Sequence, residues 1–139
     1  MLWAAACAGD QGGEAGRAGG QGRAVQLSLR AEPAVVAPRG VVTVVLGLRN
    51  PADTTLTLHF PTAQRYDFTV RDTAGAVVWR WSADRAFAQV VGEQPVPAGW
   101  EVNYEERFAA PAMPGPYRVV GTVTARGDPG SAAANFTVR

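Results

Sequence analysis

The chain predicts an all-β protein, an antiparallel β-sandwich of about seven to nine short strands. Three observations carry that expectation. Apolar and polar residues alternate with period two through most of the chain after residue 23. Turn sequences rich in Gly, Pro, Asn and Asp interrupt the alternation at regular intervals. No extended apolar stripe follows the 3.6-residue period of a helix; residues 83–88 are expected to hold one helical turn at most.

Residues 1–23 stand apart. Residues 10–23 are Gly, Ala, Gln and a few charges without periodicity, a composition that buries too little surface to offset chain entropy. They are read as a disordered tether, and residues 24–139 as one domain. Small residues run into Cys7 ahead of the tether. That pattern is similar to the end of a bacterial lipoprotein signal, with Cys7 as the candidate lipidation site. The segment lacks a basic start, its apolar stretch is shorter than about 7–15 residues, and Ala4 stands where such signals usually carry leucine. The expectation is a lipid anchor at the cell envelope, with a cytoplasmic location as the alternative.

The strands follow in order. Residues 25–30 alternate cleanly, 41–49 are rich in valine, and 54–60 return to period two. Asn50-Pro51 between the last two is suited to turning a corner between sheets. Residues 65–72 and 77–82 alternate on either side of Thr73-Ala74-Gly75-Ala76, the pattern of a hairpin. Residues 100–108, 117–125 and 133–138 complete the set. Pro38-Arg39-Gly40, Pro97-Ala98-Gly99, Pro114-Gly115-Pro116 and the Gly127-Asp128-Pro129-Gly130 turn punctuate them. No internal repeat suggests a propeller or solenoid.

Composition narrows function by exclusion. The formal net charge of +1 removes the electrostatic case for nucleic acid. All 13 basic residues are arginine, and lysine and isoleucine are absent, as expected of GC-rich coding. The single cysteine excludes an internal disulfide and a cysteine-based zinc site. No metal or cofactor motif is visible. His59 is the only histidine and no Gly-x-Ser-x-Gly elbow accompanies it, so no catalytic triad assembles. Glu105 and Glu106 are adjacent in a strand and point to opposite faces, which excludes a working carboxylate pair. Arg126-Gly127-Asp128 is accounted for by its turn, and Asn135-Phe136-Thr137 lies within a strand. The chain is expected to bind a protein, not to catalyse a reaction.

Several segments together resemble the bacterial intracellular proteinase inhibitor (BsuPI-like) family. They are residues 60–68, 77–82, Phe87-Ala88-Gln89, Pro97-Ala98-Gly99 and residues 114–119, in the family's order between about Val41 and Ala125. The resemblance implies an immunoglobulin-like sandwich and inhibition of a subtilisin-like serine protease. It supplies no reactive bond.

The candidate contact surface is therefore read from the residues. Pro61 restricts the loop at 60–65, and a constrained loop loses less entropy on binding. That loop and residues 82–85 flank the same strand pair and are expected at one end of the sandwich. The candidates are Phe60, Pro61, Gln64, Arg65, Trp81, Ser82 and Arg85. Trp79 and Trp81 are two apart and are expected to share a strand face, with Trp79 in the core and Trp81 a partly exposed anchor. The alternative function is a non-inhibitory structural or adhesion-type module of the envelope.

Overall fold

The computed structural model describes residues 25–139. The tether and Cys7 lie outside the described residues. Ten strands follow in chain order. They are β1 (Gln26–Glu32), β2 (Val35–Val36), β3 (Val41–Arg49), β4 (Leu56–Phe60), β5 (Tyr66–Arg71), β6 (Val77–Arg80), β7 (Gly92–Val96), β8 (Glu101–Ala109), β9 (Gly115–Val123) and β10 (Ser131–Val138). A 3-10 turn, Trp81–Asp84, follows β6.

The strands form a three-stranded sheet β8-β3-β1, a five-stranded sheet β2-β10-β9-β5-β6 and a ribbon β4-β7. All pairings are antiparallel except β2 with β10. The all-β sandwich is as expected. The strand number exceeds the expected range because of two short elements, β2 and β7. The first is only two residues long, and the second contains Gly92, Glu93 and Pro95, which are poor strand formers.

Alternation dictates the core. In β3 Val42, Val44, Leu46 and Leu48 are all fully buried, facing Phe68 and Val70 of β5, Val119 of β9 and Phe136 and Val138 of β10. Each such side chain contributes about 1.5–3 kcal/mol on burial. Gly121 interrupts the apolar row of β9 for a packing reason. A Cβ there would sit 3.2 Å from both Leu46 and Phe68, so glycine lets the two sheets close. Aromatic pairs span the layers. Trp79 of β6 stacks on Phe108 of β8 at 4.5 Å, and Phe108 meets Phe136 edge-on at 5.9 Å. Tyr117, stacked on Phe136, donates its hydroxyl to the Met113 carbonyl at 2.6 Å, four residues upstream. That contact resembles the tyrosine corner of immunoglobulin-like sandwiches.

The two predicted turning points behave as such. In the β5–β6 hairpin Gly75 adopts φ +84°, and the Asp72 carboxylate accepts from the Ala74 and Ala76 amides at 2.9 and 3.0 Å. Asn50 ends β3 where the chain leaves the three-stranded sheet for the ribbon. Its side chain donates to the Thr54 and Val96 carbonyls at 2.8 and 2.9 Å and accepts from Ala52 N–H at 3.0 Å. Among the described residues it is the only fully buried polar side chain. At Gly127 and Asp128 the backbone takes positive φ, consistent with the turn reading of Arg126-Gly127-Asp128.

Candidate functional site

Three connecting segments meet beside the β4–β7 ribbon. The loop between β4 and β5 is stitched to the segment after the 3-10 turn by Ala63 N–H donating to the Ala88 carbonyl at 2.9 Å. The same loop is stitched to the chain leaving β9, where Thr124 donates through its amide to Arg65 O (3.0 Å) and through its hydroxyl to Gln64 O (2.7 Å). Arg126 N–H donates to His59 O at 2.7 Å. The 60–65 loop is thus bonded to residue 88, three residues beyond the 82–85 segment expected beside it.

Within this region the candidates divide by depth. Phe60 is fully buried and Trp81 is 7% exposed, so neither is a surface anchor. The expectation for the tryptophans is reversed: Trp79 is the half-buried one and Trp81 belongs to the core. The physical reason is that β6 ends at Arg80. Residue 81 opens the 3-10 turn, which breaks the period-two alternation and swings its indole inward. The indole packs on Tyr66 (4.8 Å) and Phe87 (5.6 Å), and its N–H has no acceptor among the described residues.

The two buried rings carry arginines. The Arg65 guanidinium lies 4.4 Å from the Phe60 ring centroid and donates to Thr62 O at 3.0 Å. It also crosses Gly92, where a Cβ would come within 2.6 Å of its terminal nitrogen. The Arg85 guanidinium lies 4.4 Å from the Trp81 ring centroid, and its Nε donates to Trp81 O at 3.1 Å. Neither has a carboxylate within salt-bridge distance among the described residues. Stacking and a backbone anchor hold each cation in one place without neutralising it.

Polar groups below set the local electrostatics. Asp67 accepts from Ser82 twice, from its amide at 3.1 Å and its hydroxyl at 2.6 Å, and Arg80 stands 3.8 Å away. Ser82 therefore ties the turn to Asp67 of β5. The Tyr66 hydroxyl donates to Glu106 at 2.5 Å, and Tyr104, 4.9 Å from Tyr66 ring to ring, donates to Gln94 at 2.9 Å. Burial first, then the bond to Glu106 and its charge, push the Tyr66 phenol well above its ordinary value, with Arg85 pulling the other way. Burial also raises Tyr104, against Arg65 and Gln94. Gln64 is half-buried and donates its side-chain amide to Tyr66 O at 3.0 Å, while Pro61 is exposed at the loop's surface. His59, opposite Glu93 in the ribbon register, approaches its carboxylate at 3.2 Å on the surface.

Sequence reasoning missed the segment that follows. Residues 85–91 form no helix, turn, bend or bridge, and Val90 and Val91 are 62% and 66% exposed. The signal available was Val90-Val91, two adjacent apolar residues outside every expected strand and directly ahead of Gly92.

Comparison with known proteins identifies the class and then the family. The model of the intracellular proteinase inhibitor family, BsuPI, matches residues 29–128, well over half of the chain. The chain belongs to that family, and the family is one of proteinase inhibitors. No curated protein sequence matches the chain. Among solved structures it is similar to the C-terminal domain of wzt (TM-score 0.57, 8% identity, covering 84% of this chain and 74% of that one). It is also similar to the sporulation control protein Spo0M of Bacillus subtilis (TM-score 0.53, 14% identity, 84% and 49%). A third match is the Pseudomonas fluorescens alkylpurine DNA glycosylase AlkC (TM-score 0.49, 17% identity, 84% and 30%). The chain thus spans less than half the length of the last two. At these identities the first two likenesses show the fold alone.

Proposed function

We propose that the protein inhibits a subtilisin-like serine protease by steric occlusion, seating the end of the sandwich built from residues 60–65 and 81–91 in the protease's substrate cleft. Membership of the proteinase inhibitor family supports inhibition of a proteinase. The observation that supports this end as the contact is the backbone hydrogen bond between Ala63 and Ala88, which ties the 60–65 loop to the segment after the 3-10 turn. Pro61, Gln64, Arg65, Ser82 and Arg85 are its accessible or half-accessible polar and turn residues. Phe60 and Trp81 act from beneath, as platforms for the two arginines. Preorganisation of this kind lowers the entropic cost of binding. Inhibition follows if the surface fills the cleft, with no bond made or broken.

Occlusion is tested by binding the full chain to a subtilisin-type protease, free and with its cleft already filled by a covalent peptidyl inhibitor. Binding to the free enzyme and none to the filled one is expected. Equal binding to both would place the contact elsewhere on the protease.

A further inference from the structure

We infer that residues 86–91 are the strand that enters the protease, pairing edge to edge with the wall of its substrate cleft and presenting Val90 and Val91 to apolar subsites; this rests on the inhibitor reading above. Four observations lead there. Arg85, which leads into it, is extended at φ −123° and ψ 150°, and the segment itself carries no turn or bend, no glycine and no positive φ. Laid out as a strand at about 3.3 Å per residue, residues 86–91 would reach roughly 20 Å. Among the described residues, Ala86, Phe87, Gln89 and Val90 make no backbone hydrogen bond. An extended backbone with open donors and acceptors is the element that strand addition requires.

The segment is fixed at its ends. Arg85 N–H donates to Ser82 O at 3.2 Å, Phe87 packs on Trp81, and Ala88 O accepts from Ala63. Gly92 then enters the ribbon opposite Phe60. Ala88 is held towards the 60–65 loop, so the alternation of an extended chain directs the backbone groups of Phe87 and Gln89 away from it. Two adjacent valines more than 60% exposed, on a segment whose neighbouring aromatic is packed inward, are an apolar feature without a partner in the fold. A substrate cleft that reads extended peptides offers both what the backbone lacks and what the valines lack.

The test uses the full chain against a subtilisin-type protease, with two readouts. The first compares inhibition constants for the wild type and the Val90→Asp/Val91→Asp variant, alongside their thermal midpoints. Both positions are exposed, so the midpoint is expected to stay put while inhibition weakens about 100-fold or more. The second is amide hydrogen exchange of the wild-type complex, where new protection is expected across residues 86–91. Wild-type inhibition that the double variant retains, or protection confined to residues 61–65, would overturn the assignment and leave the inhibitor reading standing. A wild-type chain that leaves the protease fully active would overturn both.

Discussion

Asn50→Ala is expected to cost about 4 kcal/mol of stability, although the residue touches no candidate contact. The side chain makes three good hydrogen bonds, to Thr54 O, Val96 O and Ala52 N–H. Each is worth about 1 kcal/mol net, and stripping the buried Val96 carbonyl adds roughly another 1 kcal/mol or more. For a domain of this size the loss corresponds to a fall of about 15 °C in Tm. The partner substitution Asn50→Asp sharpens the reasoning. It preserves shape but points an acceptor at two carbonyl oxygens where Asn50 presents a donor. The acid form can still donate, so the folded state favours protonation and raises this carboxyl's pKa above its unfolded value of about 3.9. Relative to wild type, the Asp variant is then least damaged below that value and loses stability as pH rises through the folded pKa. Urea unfolding at pH 4 and pH 7 measures both effects. An Ala variant within about 1 kcal/mol of wild type, or an Asp variant indifferent to pH, would refute Asn50 as the stitch between β3 and β7.

Other substitutions separate support from contact. Trp81→Ala is expected to cost about 3–5 kcal/mol by opening the core, with inhibition lost through unfolding; a stable Trp81→Ala protein would contradict its burial. Pro61→Ala leaves an exposed site and frees the loop, so inhibition should weaken about 2- to 5-fold in a titration with no change in fold. Gly92→Ala forces the Arg65 guanidinium off its seat, seen as loss of the ring-current shift on the Arg65 side-chain protons over Phe60. Tyr66, raised above its ordinary 10.0 by burial and Glu106, contributes stability that is full below pH 10 and falls as pH climbs towards the folded pKa. Denaturation midpoints between pH 9 and pH 11 should show a shallower alkaline decline in Tyr66→Phe than in wild type.

What the sequence made legible was the set of strands whose own residues favour a pleated, half-buried surface. β3 matches its expected bounds because alternating β-branched and apolar residues leave no competing period. The Gly75 turn was legible because glycine reaches positive φ without penalty. β7 was not, since its pairing with β4 comes from the fold and not from Gly92, Glu93 or Pro95. The parallel pairing of β2 with β10 leaves no local trace either. At the site, hairpin connectivity led to the expectation that residues 60–65 and 82–85 share one end, and the bond observed there joins Ala63 to Ala88. The fate of Trp81 was not legible, because it depends on the chain leaving β6 one residue earlier than alternation suggests. The open backbone groups of Ala86, Phe87, Gln89 and Val90 were hidden for a related reason. Absence of hydrogen bonds is a property of the assembled molecule, and nothing in Ala-Phe-Ala-Gln-Val announces it.

The central claim is that this member of the proteinase inhibitor family blocks a subtilisin-like serine protease while staying intact. A tight-binding titration of the full chain against such a protease, with residual activity and integrity of the chain followed together, tests it most directly. The account predicts a linear fall in activity to an equivalence point near one inhibitor per enzyme, with the chain uncleaved. Undiminished protease activity, or digestion of the chain in step with substrate, would contradict it.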